Sequence, residues 1–133
     1  MKKPDLSDSY QIINLIFAAI LFLIFIYAAS FNPGGDYPVS SQYKLITGKK
    51  TESTGLSRAF SEMVRLDFVK ARAYNENSPE VFSFFLLQLL LRIVLFFSYS
   101  YAKHKKLMIR LDAAGSALLF LVFFRNFIFS LYS

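Results

Sequence analysis

Arg92 and Gln88 are the residues best placed to do chemistry, because they stand four apart inside an otherwise apolar stretch, 81–101. Four residues is about one helical turn, so the two polar groups share a face. An unpaired arginine at the centre of a membrane span costs about 2.5–3.5 kcal/mol on insertion scales. Its presence points to an anion or substrate site, to a binding face for a partner helix, or to pairing inside the protein. Arg125 and Asn126 form a second polar pair near the end of the last apolar stretch, where the arginine head can snorkel to the interface. Arg58 is the third arginine of interest. If all three approach the same half of a bilayer they line one basic pocket, with Glu62, Asp67, Glu76 and Glu80 as candidate counter-ions. Asn14 is a further polar group in the first apolar stretch, able to hydrogen-bond another helix or to mark the end of its own.

Other chemistries lack their residues. There is no cysteine, which excludes disulfides, thiol catalysis and cysteine-ligated metal sites. His104 is the one histidine and lies among Lys103, Lys105 and Lys106, where solvation is the plain reading; catalytic and metal sites need convergent partners. No serine or threonine has a base in view, and neither a paired-histidine zinc motif nor a phosphate-binding glycine loop occurs. The chain therefore reads as non-enzymatic, with no cofactor and no metal.

The elements that position these residues follow from composition. Of 133 residues, 55% are hydrophobic and 18% charged, against about 25% charged in ordinary soluble domains. The apolar residues concentrate in three stretches at about 11–31, 81–101 and 112–131. Each supplies the roughly 20 residues that a helix needs to cross about 30 Å of hydrocarbon. The expected architecture is an all-α membrane protein, one domain over 1–133 with three transmembrane helices. A cleaved signal peptide fits the first stretch less well, because its apolar run exceeds the usual core of about 7–15 residues.

Lys103, Lys105, Lys106 and Arg110 make the short link between the second and third stretches basic. Such links lie in the cytoplasm, which places the N-terminus there too and sends the C-terminus and the 32–80 loop to the exported side. The same four residues attract anionic phospholipid headgroups, at about 1 kcal/mol each near the surface. Net charge is +6, yet no nucleic-acid recognition motif accompanies it. Within the loop, Asn32-Pro33-Gly34-Gly35-Asp36 and Pro38 announce an irregular connection. From Gly55 to about Asn75, Leu56, Ala59, Phe60, Met63, Val64 and Ala71 recur at helical spacing between charged residues. This is an amphipathic helix, or two shorter ones, with the membrane interface or the groove between spans to receive its apolar face. Thr51, Ser53 or Thr54 can cap it, and Asn77 or Ser78, with Pro79, starts the second span.

Gly55-Leu56-Ser57-Arg58-Ala59-Phe60 resembles a motif of DUF2752, a family of small bacterial membrane proteins of unknown function. That motif has the form Cys-Pro-x-Cys-Gly-x-Thr-Arg-Ala, followed by a short helix, an Asp-hydrophobic step, an Asn-Pro turn and a long apolar span. Gly55, Arg58 and Ala59 match, Ser57 replaces the threonine, and Asp67-Phe68 and Asn75 to Pro79 stand where the later features fall. Arg125 is similar to an arginine near the end of the family's last helix. Thr51-Glu52-Ser53-Thr54 occupies the place of the cysteines, so the resemblance implies architecture and no redox or metal role.

Ala113-Ala114-Gly115-Ser116-Ala117 is the preferred helix-packing patch, since small residues let helices approach closely. The reading that results is an accessory or structural subunit of a bacterial inner-membrane complex, with other membrane subunits and phospholipids as partners. The alternative is a binding or transport component that recognises an anionic lipid or small solute through Arg58, Arg92 and Arg125.

Overall fold

A computed structural model of the chain describes residues 3–31 and 55–132, and every regular element among them is helical. Helix α1 runs Ser9–Ser30, α2 Leu56–Val64, α3 Phe68–Tyr74, α4 Ser78–Ser98, α5 Lys105–Phe123 and α6 Arg125–Ser130, with a 3₁₀ turn at Tyr99–Tyr101. Ser9–Ser30 and Ser78–Tyr101 are long and apolar enough to cross a membrane.

Asp8 starts α1, its carboxylate accepting from the Tyr10 N–H. Helix α1 is apolar almost all round but buries only Gln11, Asn14, Leu21 and Ala28. The last three recur every seven residues, the spacing of a narrow seam between two helices. The opposing seam on α4 is Ser78, Val81, Gln88, Arg92 and Leu95. The two helices pack along their length, and α5 lies against α4.

The amphipathic segment divides into α2 and α3, and the cause of the division is local. After Val64 the Leu66 backbone enters the left-handed region at φ 64°. The Asp67 N–H then reaches the Glu62 carbonyl and the Leu66 N–H reaches that of Met63, a Schellman ending with leucine where glycine is usual. Asp67 restarts the chain by accepting from the Lys70 N–H at 3.1 Å. That hydrogen bond, together with the nearby Lys70 ammonium, holds the Asp67 carboxyl below its ordinary value against a small opposing effect of desolvation. Phe60 of α2 enters the groove between Ala28 of α1 and Val81 of α4, while Ala59 and Met63 meet Ala71 of α3.

Gly55 caps α2 at φ 77°, and a Cβ there would stand 2.4 Å from the Tyr74 carbonyl oxygen. The capping candidates Thr51, Ser53 and Thr54 lie outside the described residues, as do the turn-forming residues from Asn32 to Lys50. Pro79 occupies the first turn of α4 as its sequence position predicts, although the Asn77 side chain makes no cap.

The third apolar stretch differs most from expectation. Helix α5 begins at Lys105, seven residues before 112, so Lys105, Lys106 and Arg110 are helical and only Ala102-Lys103-His104 links the hairpin. Nothing from 105 to 112 breaks a helix, and Leu107, Met108 and Leu111 already have helical spacing. At its other end the helix is interrupted at Phe124, φ −100° and ψ 13°. The interruption seats Phe124 and Phe127 against the Phe60 cluster.

Candidate functional site

The site forms where α1, α4 and α5 meet, about one and a half turns inside one end of the α1–α4 seam. Arg92 Nη1 donates to Asn14 Oδ1 at 2.9 Å and to Asp112 Oδ2 at 2.7 Å. Arg92 Nη2 donates to Asp112 Oδ1 at 2.6 Å, to Ser116 Oγ at 2.8 Å and to Gln88 Oε1 at 3.2 Å. The planar guanidinium thus meets the carboxylate edge to edge, the bidentate geometry that arginine favours. Tyr10 Oη donates to Asp112 Oδ2 at 2.8 Å and Ser116 Oγ to Asp112 Oδ1 at 3.1 Å.

Asp112 therefore accepts four hydrogen bonds, about as many as its lone pairs allow. Both charges are enclosed: the Arg92 and Asp112 side chains are 9% and 7% exposed. The Phe17 ring lies 5.8 Å from the guanidinium carbon. Arg92 Nε and Gln88 Nε2 are buried donors without a protein partner.

A second polar layer lies toward the same end of the seam. Gln11 Nε2 donates to the Phe96 carbonyl and to Ser100 Oγ, both at 2.9 Å, and Gln11 Oε1 accepts from the Asp5 N–H at 2.8 Å. One side chain of α1 thereby satisfies the end of α4, where carbonyls have no helical partner. Ser7 donates to the Asp5 carboxylate through its hydroxyl and its N–H, which holds that carboxyl below its ordinary value, with Lys105 adding a favourable charge.

Gln88 and Arg92 share a face, as their spacing predicts, and Asn14 is a bonding partner of Arg92 instead of a marker of the helix end. The other expected members are elsewhere. Asn126 Nδ2 donates to Asn77 Oδ1 at 2.7 Å, which puts Arg125 and Asn126 at the opposite end of α4, about 22 Å from Arg92 by helical rise. Arg58 lies on α2, the helix packed on that same end. The structure does not gather Arg58, Arg92 and Arg125 into one pocket. Nor do Glu62, Asp67, Glu76 or Glu80 neutralise Arg92: the partner is Asp112, and Asp67 pairs with Lys70 at 3.3 Å.

Asp112 was legible in one respect. It stands ten residues after Ala102, and Arg92 ten before it, so a helical hairpin turning at Ala102 brings them to one depth. Tyr10 had no comparable signal. Arg65 also gains a role that spacing alone does not show, its Nη2 donating to the Ala29 and Phe31 carbonyls at the end of α1.

Of the packing patch, Ser116 faces the ion pair, while Ala113, Ala114, Gly115 and Ala117 are exposed. Lys103, Lys105, Lys106 and Arg110 are exposed too, with the Lys105 ammonium 4.7 Å from the Tyr99 ring centroid. What the arrangement can do chemically is to hold three helices in register by a charge-neutral cluster whose carboxylate is fully engaged. No family model, curated protein or solved structure matches this chain.

Proposed function

We propose that the chain is a non-enzymatic accessory or structural subunit of a bacterial inner-membrane complex that assembles through transmembrane helix packing. In this reading α1 and α4 cross the bilayer, α5 with α6 makes a third crossing, and the basic hairpin link faces the cytoplasm together with the N-terminus. The α2–α3 pair lies at the exported interface, where its exposed Leu66, Phe68 and Val69 dip into the headgroup region.

Membrane residence is supported by the narrow seams. Ile13, Ile16, Phe17, Ile20, Phe22 and Leu23 of α1 are all exposed, an arrangement that lipid tolerates and water does not. The single observation that carries the assembly reading is α5, which buries no residue although the ion pair fixes it to α4. Ala113 and Ala117, four apart and both exposed, form the small-x-x-x-small pattern through which membrane helices approach closely. A helix anchored at high cost on one face and left uncovered on another is built to receive a neighbour. The alternative, anion recognition through Arg58, Arg92 and Arg125, draws no support from Arg92, whose charge Asp112 already neutralises.

The test is capture of the tagged chain from native membranes in mild detergent, with mass spectrometry of the bound proteins. A recurring stoichiometric subunit is expected, lost when Ala113→Leu and Ala117→Leu are combined. A chain that purifies alone, with the double variant indistinguishable from wild type, overturns the reading.

A further inference from the structure

The face of α5 that carries the alanine pair also carries an arginine. At about 100° per residue, Arg110 stands about 60° round the helix from Ala113 and about 20° from Ala117, but about 160° from Asp112. It is therefore on the side of α5 away from the Arg92 cluster. Arg110 is exposed and makes no ion pair among the described residues. The acids at this end of the bundle are engaged elsewhere: Asp5 accepts from Ser7, Asp8 from the Tyr10 N–H, and Asp112 from Arg92, Tyr10 and Ser116.

The depth of Arg110 can be counted along the hairpin. Arg92 and Asp112 are bonded and stand ten residues either side of Ala102, so Arg110, two residues short of Asp112, is level with Val94 of α4. Ser78–Tyr101 rises about 36 Å. In the crossing proposed above, about 30 Å of hydrocarbon centred on that segment ends about 3 Å short of Tyr101. Val94 is about 10 Å from Tyr101, which puts Arg110 about 7 Å inside. Lys106, one turn nearer the link, stands at the boundary and within reach of headgroups. Arg110 is a turn deeper, where arginines of membrane proteins face a protein neighbour or a water-filled cavity.

We propose that the Arg110 face of α5 receives a transmembrane helix of a different protein, which sets an aspartate or glutamate level with Arg110 and a small residue against Ala113 and Ala117. This rests on the assembly reading and names the chemistry of the partner. A carboxylate is the acceptor that matches a guanidinium edge to edge, and lipid tails at that depth offer none. A second copy of the chain does not fit. All copies cross in the same direction, so packing through the alanines about a two-fold axis sets Arg110 against Arg110 and Lys106 against Lys106. Nor does a copy bring a free carboxylate at this end, since Asp112 is already neutralised by its own Arg92.

The test is fluorescence energy transfer between the full chain, in phosphatidylcholine bilayers, and a synthetic transmembrane peptide. The peptide is a leucine-rich helix with two alanines four apart and one glutamate a turn nearer its end; its control has glutamine in place of the glutamate. Wild type is expected to bind the glutamate peptide at least about tenfold more tightly than the control. Arg110→Gln, a change at an exposed position, should bring the two peptides to equal affinity. Lys106→Gln should leave the preference in place, and Ala113→Leu should weaken both peptides together.

Equal binding of the two peptides by wild type overturns the proposal, and so does a preference that survives Arg110→Gln. Loss of the preference when phosphatidylglycerol replaces part of the phosphatidylcholine also overturns it, because Arg110 then serves lipid headgroups. The two readings fail differently. A chain that captures a subunit through Ala113 and Ala117 yet does not distinguish glutamate from glutamine keeps the assembly reading and loses this inference; a chain that captures nothing loses both.

Discussion

Removing the Asp112 carboxylate leaves the Arg92 guanidinium enclosed and uncompensated. Breaking a buried ion pair from one side costs about 3–5 kcal/mol, whereas replacing both partners by apolar residues of similar volume is close to neutral. Asp112→Ala should therefore strongly destabilise the chain in detergent, and Arg92→Met combined with Asp112→Leu should recover most of the loss. Thermal unfolding of wild type and of these two variants measures the coupling; a double variant as unstable as Asp112→Ala would show that the cluster holds the helices by more than mutual neutralisation. Gly55 is the other residue with a sharp constraint. A side chain there meets the Tyr74 carbonyl oxygen at 2.4 Å and must adopt φ 77°, so Gly55→Ala should cost at least about 1–2 kcal/mol. The glycine in the stretch that resembles the family motif thus has a local steric reason to be glycine.

At the scale of elements, the α2–α3 pair is where sequence and geometry are in mild conflict. Leu66 adopts a left-handed conformation while 74% exposed, so its side chain packs on little and its backbone is strained. Leu66→Gly should stabilise the isolated turn by up to about 1 kcal/mol, yet weaken interfacial anchoring, which vesicle flotation would detect as a separate effect. The Asp67 cap adds a pH dependence. Its carboxyl titrates lower when folded than when unfolded, so its contribution is complete above the unfolded value and disappears as pH falls through the folded one. Protection of the α3 amides, measured relative to their intrinsic exchange rates, should fall on acidification, and Asp67→Asn should remove that fall. Arg65 binds this pair to the end of α1 through carbonyls that lack helical partners. Arg65→Ala should loosen α2 and α3 by about 1 kcal/mol without disturbing the Arg92 cluster at the opposite end.

At the scale of the whole molecule, the proposed topology has a direct consequence. Because the chain has no cysteine, single cysteines can be labelled without background. Lys106→Cys and Tyr132→Cys should react with an impermeant maleimide from opposite sides of sealed membrane vesicles. Reaction of both from the same side would mean that α5 and α6 do not complete a crossing.

The sequence by itself determined the helical class, the two long apolar helices, the amphipathic segment and the shared face of Gln88 and Arg92. Each rests on periodicity or local composition, which a chain carries into any fold. Only the tertiary structure decided that Asp112, and not an acid of the long loop, answers Arg92. It likewise decided that Arg125 and Asn126 sit a helix length away, and that Tyr10 and Asn14 complete the cluster. Those pairings depend on which helices are neighbours and on their relative rotation and depth. Residues as far apart as Tyr10 and Asp112 share no local pattern that would reveal it. The hairpin symmetry about Ala102 is the partial exception, since a short link makes depth countable along the chain.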